Sequence, residues 1–319
     1  MKHIILTFVS LLFTTGICAQ LLVKEEPVVL KTTTGEIFGT LKIPYSKVPV
    51  PVAIIIAGSG PTDRNGNQAS MKSDTYKMLS DGLYYKGIAT LSFDKRGIGE
   101  SKSSLQKEED VTLDTFIEDV RQWIILLKND DRFSQIALIG HSEGSLIGIV
   151  AAKDNPDVSK FVSLAGAGES LDVILKKQLE ERMAGQPEVA RNMVFSYIDR
   201  LKKGETFDDV PPGLNSLFRR SVQPFLISSF RYDPQVEIAQ LKIPFLIVSG
   251  TYDIQISPDQ ADLLANANHG AQKLIIDNMD HVLKYSESKD VMEQVSSSYN
   301  NPNRPIVADV IKRIAEFLK

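Results

Sequence analysis

The sequence is poor in the residues that cross-link small folds or hold metals. Its 319 residues include one cysteine, so neither a disulfide framework nor a cysteine-based metal site is available. Basic residues are not in surplus: 36 Lys and Arg stand against 40 Asp and Glu, a net charge of −4. Nothing is left over to neutralise phosphates, which argues against a nucleic-acid partner. Histidine is scarce, with four in the chain, so histidine-based chemistry has few candidates. There is no H-E-x-x-H run and no Cys/His cluster, so no metal or cofactor is implied. What remains is ordinary: 43% hydrophobic and 24% charged residues exclude a disordered or fibrous chain. A chain of this length buries most of its apolar surface without cross-links, as two domains or one large α/β domain.

Residues 1–19 read as a secretory signal peptide. Lys2 precedes an apolar run from Ile4 to about Phe13, and smaller residues lead to Ala19. Cleavage after Ala19 predicts an exported, periplasmic or extracellular protein that begins at Gln20, has no thiol and is not stably inserted in a membrane. The apolar run is too short, and too interrupted by Thr and Ser, for a spanning helix. Two alternatives stay open: lipidation at Cys18, against which the large Ile17 argues, and an uncleaved anchor.

Residues 20–319 alternate apolar runs with segments of helical period. Residues 28–33 and 36–44 flank Thr34-Gly35 and predict an antiparallel pair. Continuous apolar runs at 52–58, 88–94, 135–141, 160–166, 244–250 and 273–277 have the pattern of strands covered on both faces. In 114–128, Phe116, Val120, Trp123, Ile124 and Leu127 share one face of a helix. The expected fold class is therefore α/β, a mostly parallel eight-stranded sheet flanked by helices. One stretch, about 169–240, has helical period and no buried-strand pattern. It is too long for a simple connection and is expected to be a helical cap inserted over the sheet's carboxyl edge. Its aromatics Phe195, Phe218, Phe225, Phe230 and Tyr232 are expected to line a substrate pocket.

The chemistry centres on Gly140-His141-Ser142-Glu143-Gly144, a G-x-S-x-G sequence between the strand QIALI and an apolar helix. Such a strand-to-helix turn strains the backbone at the serine and presents its hydroxyl as a nucleophile. A serine needs a base, and the base an orienting acid. His3 falls in the signal peptide, His141 lies inside the elbow where its side chain should point away from Ser142, and His269 precedes a strand. His281, after the strand KLIID, is the base by elimination. Asp253, just past PFLIVSG, is the expected acid. Asp280, adjacent to His281, and Asp259, at an expected helix start, are the competitors. An oxyanion needs two donors, expected to be the backbone N–H groups of Glu143 and of Ser59 in the loop after VAIIIAG, with Gly60 as the alternative.

With the order Ser142, Asp253, His281 on this strand pattern, the chain resembles the α/β-hydrolases along essentially its whole length after the signal peptide. Residues 93–101 (FDKRGIGES) resemble the D-x-R-G-x-G-x-S turn frequent in that fold. More narrowly, GSGPTDRNGN (58–67), GHSEG (140–144) and SLFRRSVQPFLISSF (216–230) resemble secreted bacterial serine carboxylesterases with a helical cap. The resemblance implies a small-molecule ester substrate, hydrolysed through an acyl-enzyme with short acyl groups. The elbow departs from many relatives in reading Gly144-Ser145 rather than Gly-Gly. Thioesterase, lactonase and peptidase activities use the same machinery, and a non-catalytic binding protein of the same fold is a further alternative. Glu143 is an unusual neighbour for a forming oxyanion. Two readings of Arg96 stay open: with Asp94 it braces its turn, or it pairs with Glu143 and neutralises it. Arg64 is expected either to meet an acidic substrate group or to lie solvated.

Overall fold

The computed structural model describes residues 23–319; the expected signal peptide, with Cys18 and the cleavage point at Ala19, lies outside the described residues. β1 (Glu25–Thr32) and β2 (Gly35–Lys42) form an antiparallel hairpin. Next come β3 (Val50–Ile56), a two-residue ribbon of β4 (Asn67–Gln68) and β5 (Met71–Lys72), and α1 (Thr75–Tyr85). Then follow β6 (Ala89–Phe93), α2 (Leu113–Lys128), β7 (Phe133–His141), α3 (Glu143–Ala152) and β8 (Val158–Leu164). Five helices separate β8 from the next strand: α4 (Leu171–Arg182), α5 (Glu188–Lys202), α6 (Asn215–Phe218), α7 (Gln223–Ser229) and α8 (Pro234–Ile238). The chain ends with β9 (Phe245–Gly250), α9 (Asp259–Ala267), β10 (Ala271–Ile276), α10 (Val291–Gln294) and α11 (Ala308–Leu318).

Eight strands make one sheet in the order β1-β2-β6-β3-β7-β8-β9-β10. β2 runs antiparallel to β1 and β6, and every other neighbour is parallel. The eight apolar runs of the sequence are these eight strands. Alternate residues of the central strands enter opposite cores: Val52, Ile54 and Ile56 of β3 with Ile136 and Leu138 of β7 on one face, Ala53, Ile55, Ala137 and Ile139 on the other. The first face is covered by α2, α3, α8 and α9 through Trp123, Ile124, Ile147, Ile238 and Leu264. The second is covered by α1 and α11 through Leu79, Leu83, Val310, Ile314 and Leu318. Each such side chain contributes about 1.5–3 kcal/mol by leaving water. The start of α2 is fixed by a capping box in which Thr112 Oγ1 accepts from Thr115 N–H at 3.2 Å, worth about 1 kcal/mol.

Between β8 and β9, none of the expected aromatics Phe195, Phe218, Phe225, Phe230 and Tyr232 borders the two cavities at Ser142. Phe218 and Phe230, with Tyr197, Phe207 and Leu226, form a separate small core belonging to that segment. The surface it turns toward the sheet is aliphatic instead, through Leu171, Ile174 and Leu175 of α4. Among the described residues no helix is long and apolar enough to cross a membrane.

Candidate active site

β7 delivers Ser142 to the carboxyl edge of the sheet with φ 54° and ψ −121°. A non-glycine residue in this region carries about 1–3 kcal/mol of backbone strain, held by its surroundings. The turn closes because its flanks have no side chains. A Cβ on Gly140 would collide with the Gly144 carbonyl oxygen, and one on Gly144 with that of Ile56. Ser142 sits where two cavities meet, of about 270 and 290 Å³.

The first cavity is lined by His281 and polar groups that include Thr62, Gln68, Gln255 and Tyr299. Tyr299 ends a π-helical turn (Val295–Tyr299), an irregularity often found at functional positions. His281 follows β10 and is 4% exposed. Its Nδ1–H donates to Asp253 Oδ2 at 2.8 Å, and Asp253 Oδ1 accepts from the N–H groups of Gln255 and Ile256, both at 2.8 Å. The carboxylate is thus fixed by backbone donors, and Nε2 of the ring keeps its lone pair. No hydrogen bond joins the Ser142 hydroxyl to His281 among the described residues; the two side chains share a cavity wall.

The competing groups are engaged elsewhere. Asp280 is fully buried and accepts from Lys284 N–H and the Ser298 hydroxyl, and its burial raises its pKa. Asp259 opens α9, and His269 is exposed ahead of β10.

His141 departs from expectation. It borders the same cavity as Ser142 and packs on His281 with ring centroids 4.8 Å apart. His141 Nε2 lies 2.8 Å from the His281 carbonyl oxygen. A carbonyl only accepts, so Nε2 carries the proton, and Nδ1 accepts from the Tyr76 hydroxyl at 2.8 Å. Burial, and then the neighbouring His281, push the His141 pKa down to about 3.

The second cavity is mostly aliphatic, lined by Leu113, Leu146, Leu171, Ile174, Leu175 and Pro234. Ser59 and Glu143 also border it. Their backbone N–H groups make no hydrogen bond among the described residues. Glu143 is at the N-terminus of α3, where the helix dipole favours negative charge.

Of the two readings of Arg96, the pair with Glu143 does not form. Arg96 turns away and binds Asp119 through two hydrogen bonds of 2.6 and 2.7 Å. Lys95 takes the place near Glu143, its Nζ 3.8 Å from Oε1. Lys95 and Arg96 open a turn closed by the Ile98 N–H on the Lys95 carbonyl oxygen, and their side chains leave it in different directions, one to Gly58 and the other to Asp119. Arg64 is neither solvated nor in the substrate cavity. It braces the turn after β6 by pairing with Asp94 at 2.7 Å and Glu100 at 2.5 Å. Lys95, Tyr76 and His141 are the site residues the sequence reading missed, and no local pattern pointed to their roles.

The sheet order, the elbow and the flanking helices together are those of the α/β-hydrolase fold. A family model described as serine aminopeptidase, S33, matches residues 69–192. Esterase EstD of Thermotoga maritima is 24% identical over 262 residues, 81% of this chain and 60% of EstD. The chain therefore spans less than two thirds of that relative. The monoglyceride lipase homolog of monkeypox virus is 26% identical over 135 residues, 42% of this chain and 45% of that protein. Among solved structures, Est1E from Butyrivibrio proteoclasticus with ferulic acid bound is similar at TM-score 0.60 and 16% identity, covering 91% of this chain and 99% of its own. The Pyrococcus furiosus esterase Pf2001 is similar at TM-score 0.57 and 15% identity, covering 93% and 90%.

Proposed function

We propose that the protein is a serine carboxylesterase that cleaves esters of short aliphatic acids through an acyl-enzyme. One observation carries the reading: a strained Ser142 opens onto a cavity wall shared with an Asp253-anchored His281, beside two unbonded N–H groups. Ser142 Oγ attacks the acyl carbon while His281 Nε2 takes its proton. The contact between them tightens when substrate binds, as is common where the free enzyme has no such bond. Asp253 holds the tautomer and stabilises the imidazolium. The N–H groups of Ser59 and Glu143 receive the oxyanion. His281 then protonates the departing alcohol and activates water for deacylation.

This division of labour orients the substrate. The leaving oxygen must meet His281, so the alcohol occupies the polar cavity and the acyl group the aliphatic one under α4. In this reading the segment of about 169–240 is a cap that supplies the acyl wall, residues 1–19 are an export signal, and the enzyme works outside the cytoplasm. The test is Ser142→Ala with p-nitrophenyl butyrate as substrate and circular dichroism as a check on the fold. Hydrolysis and fluorophosphonate labelling should both vanish. Residual turnover near the parent rate sinks the assignment. Faster turnover of a peptide p-nitroanilide than of the ester makes it a peptidase.

A further inference from the structure

Lys95 is a costly residue for its position. It follows β6, its side chain is 6% exposed, and burial pulls its pKa down against the opposing effect of Glu143. Its side chain does not share in bracing its own turn, where Asp94 binds Arg64 and Arg96 binds Asp119. The one hydrogen bond of its side chain among the described residues runs from Nζ to the carbonyl oxygen of Gly58, at 2.6 Å, and the ammonium also lies 5.3 Å from the centre of the Phe116 ring. The other edge of the same residue is held as well: the Gly58 N–H donates to the Tyr76 hydroxyl at 2.9 Å.

The peptide that follows Gly58 carries the Ser59 N–H. Peptide groups are planar, and none among the described residues is cis, so the Gly58 carbonyl and the Ser59 N–H point in opposite directions. A side chain that grips the carbonyl therefore sets where the N–H points. The grip also polarises the amide, which makes the N–H a stronger donor. We propose that Lys95 is a positioning residue for the oxyanion hole: with Tyr76 it clamps both edges of Gly58 and so aims the Ser59 N–H at the position of the developing oxyanion. This rests on the assignment of Ser142 as nucleophile and of Ser59 as an oxyanion donor.

A purely electrostatic role, offsetting Glu143, is the rival explanation, and the double variant separates the two. Lys95→Met should lower kcat for p-nitrophenyl butyrate by about 10–100-fold, approaching the 10²–10³ that loss of one oxyanion donor costs. KM should stay within about twofold, because the donor acts in the transition state. Affinity for a trifluoromethyl ketone, which forms the tetrahedral adduct, should fall by a similar factor. Fluorophosphonate should still label Ser142, more slowly; a complete loss of labelling, as in Ser142→Ala, would instead mark failure of the catalytic reading itself. Lys95→Met/Glu143→Gln should stay impaired. Recovery to within about threefold of the parent overturns the proposal in favour of charge balance. If Lys95→Met does not fold, Tyr76→Phe tests the other edge of the clamp: a kcat loss of fivefold or more with KM unchanged supports it, and an unchanged kcat overturns it.

Discussion

His141 makes the stability of this fold sensitive to acid in a way that can be worked out from its environment. Its pKa lies near 6.5 when the chain is unfolded and about 3 when folded. The causes are burial of the ring first and the neighbouring His281 second. The folded state thus binds fewer protons than the unfolded state between these values, and stability rises with pH across that window and is flat above it. The full amplitude is about 5 kcal/mol at 1.36 kcal/mol per unit. At pH 5 the unfolded imidazole is largely protonated and the folded one is not, which removes about 2 kcal/mol. That is a large share of the 5–15 kcal/mol typical of a domain. Urea denaturation of the parent and of His141→Gln, at pH 7 and pH 5, reads the effect, because titrating groups not coupled to His141 cancel in the difference. The parent's advantage over the variant should shrink by about 2 kcal/mol on going to pH 5. An advantage that is the same at both values refutes the reasoning and means that the buried ring is protonated as readily as the free one.

Two other consequences are equally direct. Lys284 is fully buried and donates to the carbonyl oxygens of Ser73, Ser298 and Asn301 at 2.7, 3.1 and 2.7 Å, joining the segments around the polar cavity. Lys284→Met leaves these oxygens without that partner and should lower the unfolding free energy by at least about 3 kcal/mol; a loss under about 1 kcal/mol in a urea melt contradicts this. Leu175→Trp fills part of the aliphatic cavity and should reduce kcat/KM for p-nitrophenyl hexanoate by about tenfold or more while changing the acetate ester by less than about twofold. Equal effects on both esters would remove the acyl group from that cavity.

The sheet was legible because its central strands are buried on both faces, which writes an unbroken apolar run such as VAIIIAG into the chain. The edge was legible for a different reason: β1 and β2 meet at Thr34-Gly35, and Gly35 has φ 147°, a conformation that favours glycine. What the sequence reading missed lies in pairings between distant positions. Tyr76 is separated from His141 by 65 residues, and His141 from His281 by 140, so no local pattern announces their contact. His141 also looked idle because elbow geometry aims it away from the serine hydroxyl, while packing turns it toward the loop that carries His281. That Lys95 and not Arg96 lies by Glu143 was hidden for a simpler reason. The apolar pattern of a strand covered on both faces carries no parity into the turn after it, so nothing local says whether Lys95 or Arg96 faces the site. The aromatics between β8 and β9 misled because a helical segment of that size needs a core of its own, and Phe218 and Phe230 supply it.

The measurement that bears most directly on the account is mass spectrometry of the protein after reaction with a fluorophosphonate, run alongside residual hydrolysis of p-nitrophenyl butyrate. One adduct per chain is expected, on the peptide that contains Ser142, with activity falling in proportion to occupancy. An adduct on another residue, or full activity with Ser142 completely modified, would contradict the assignment of Ser142 as nucleophile and the mechanism built on it.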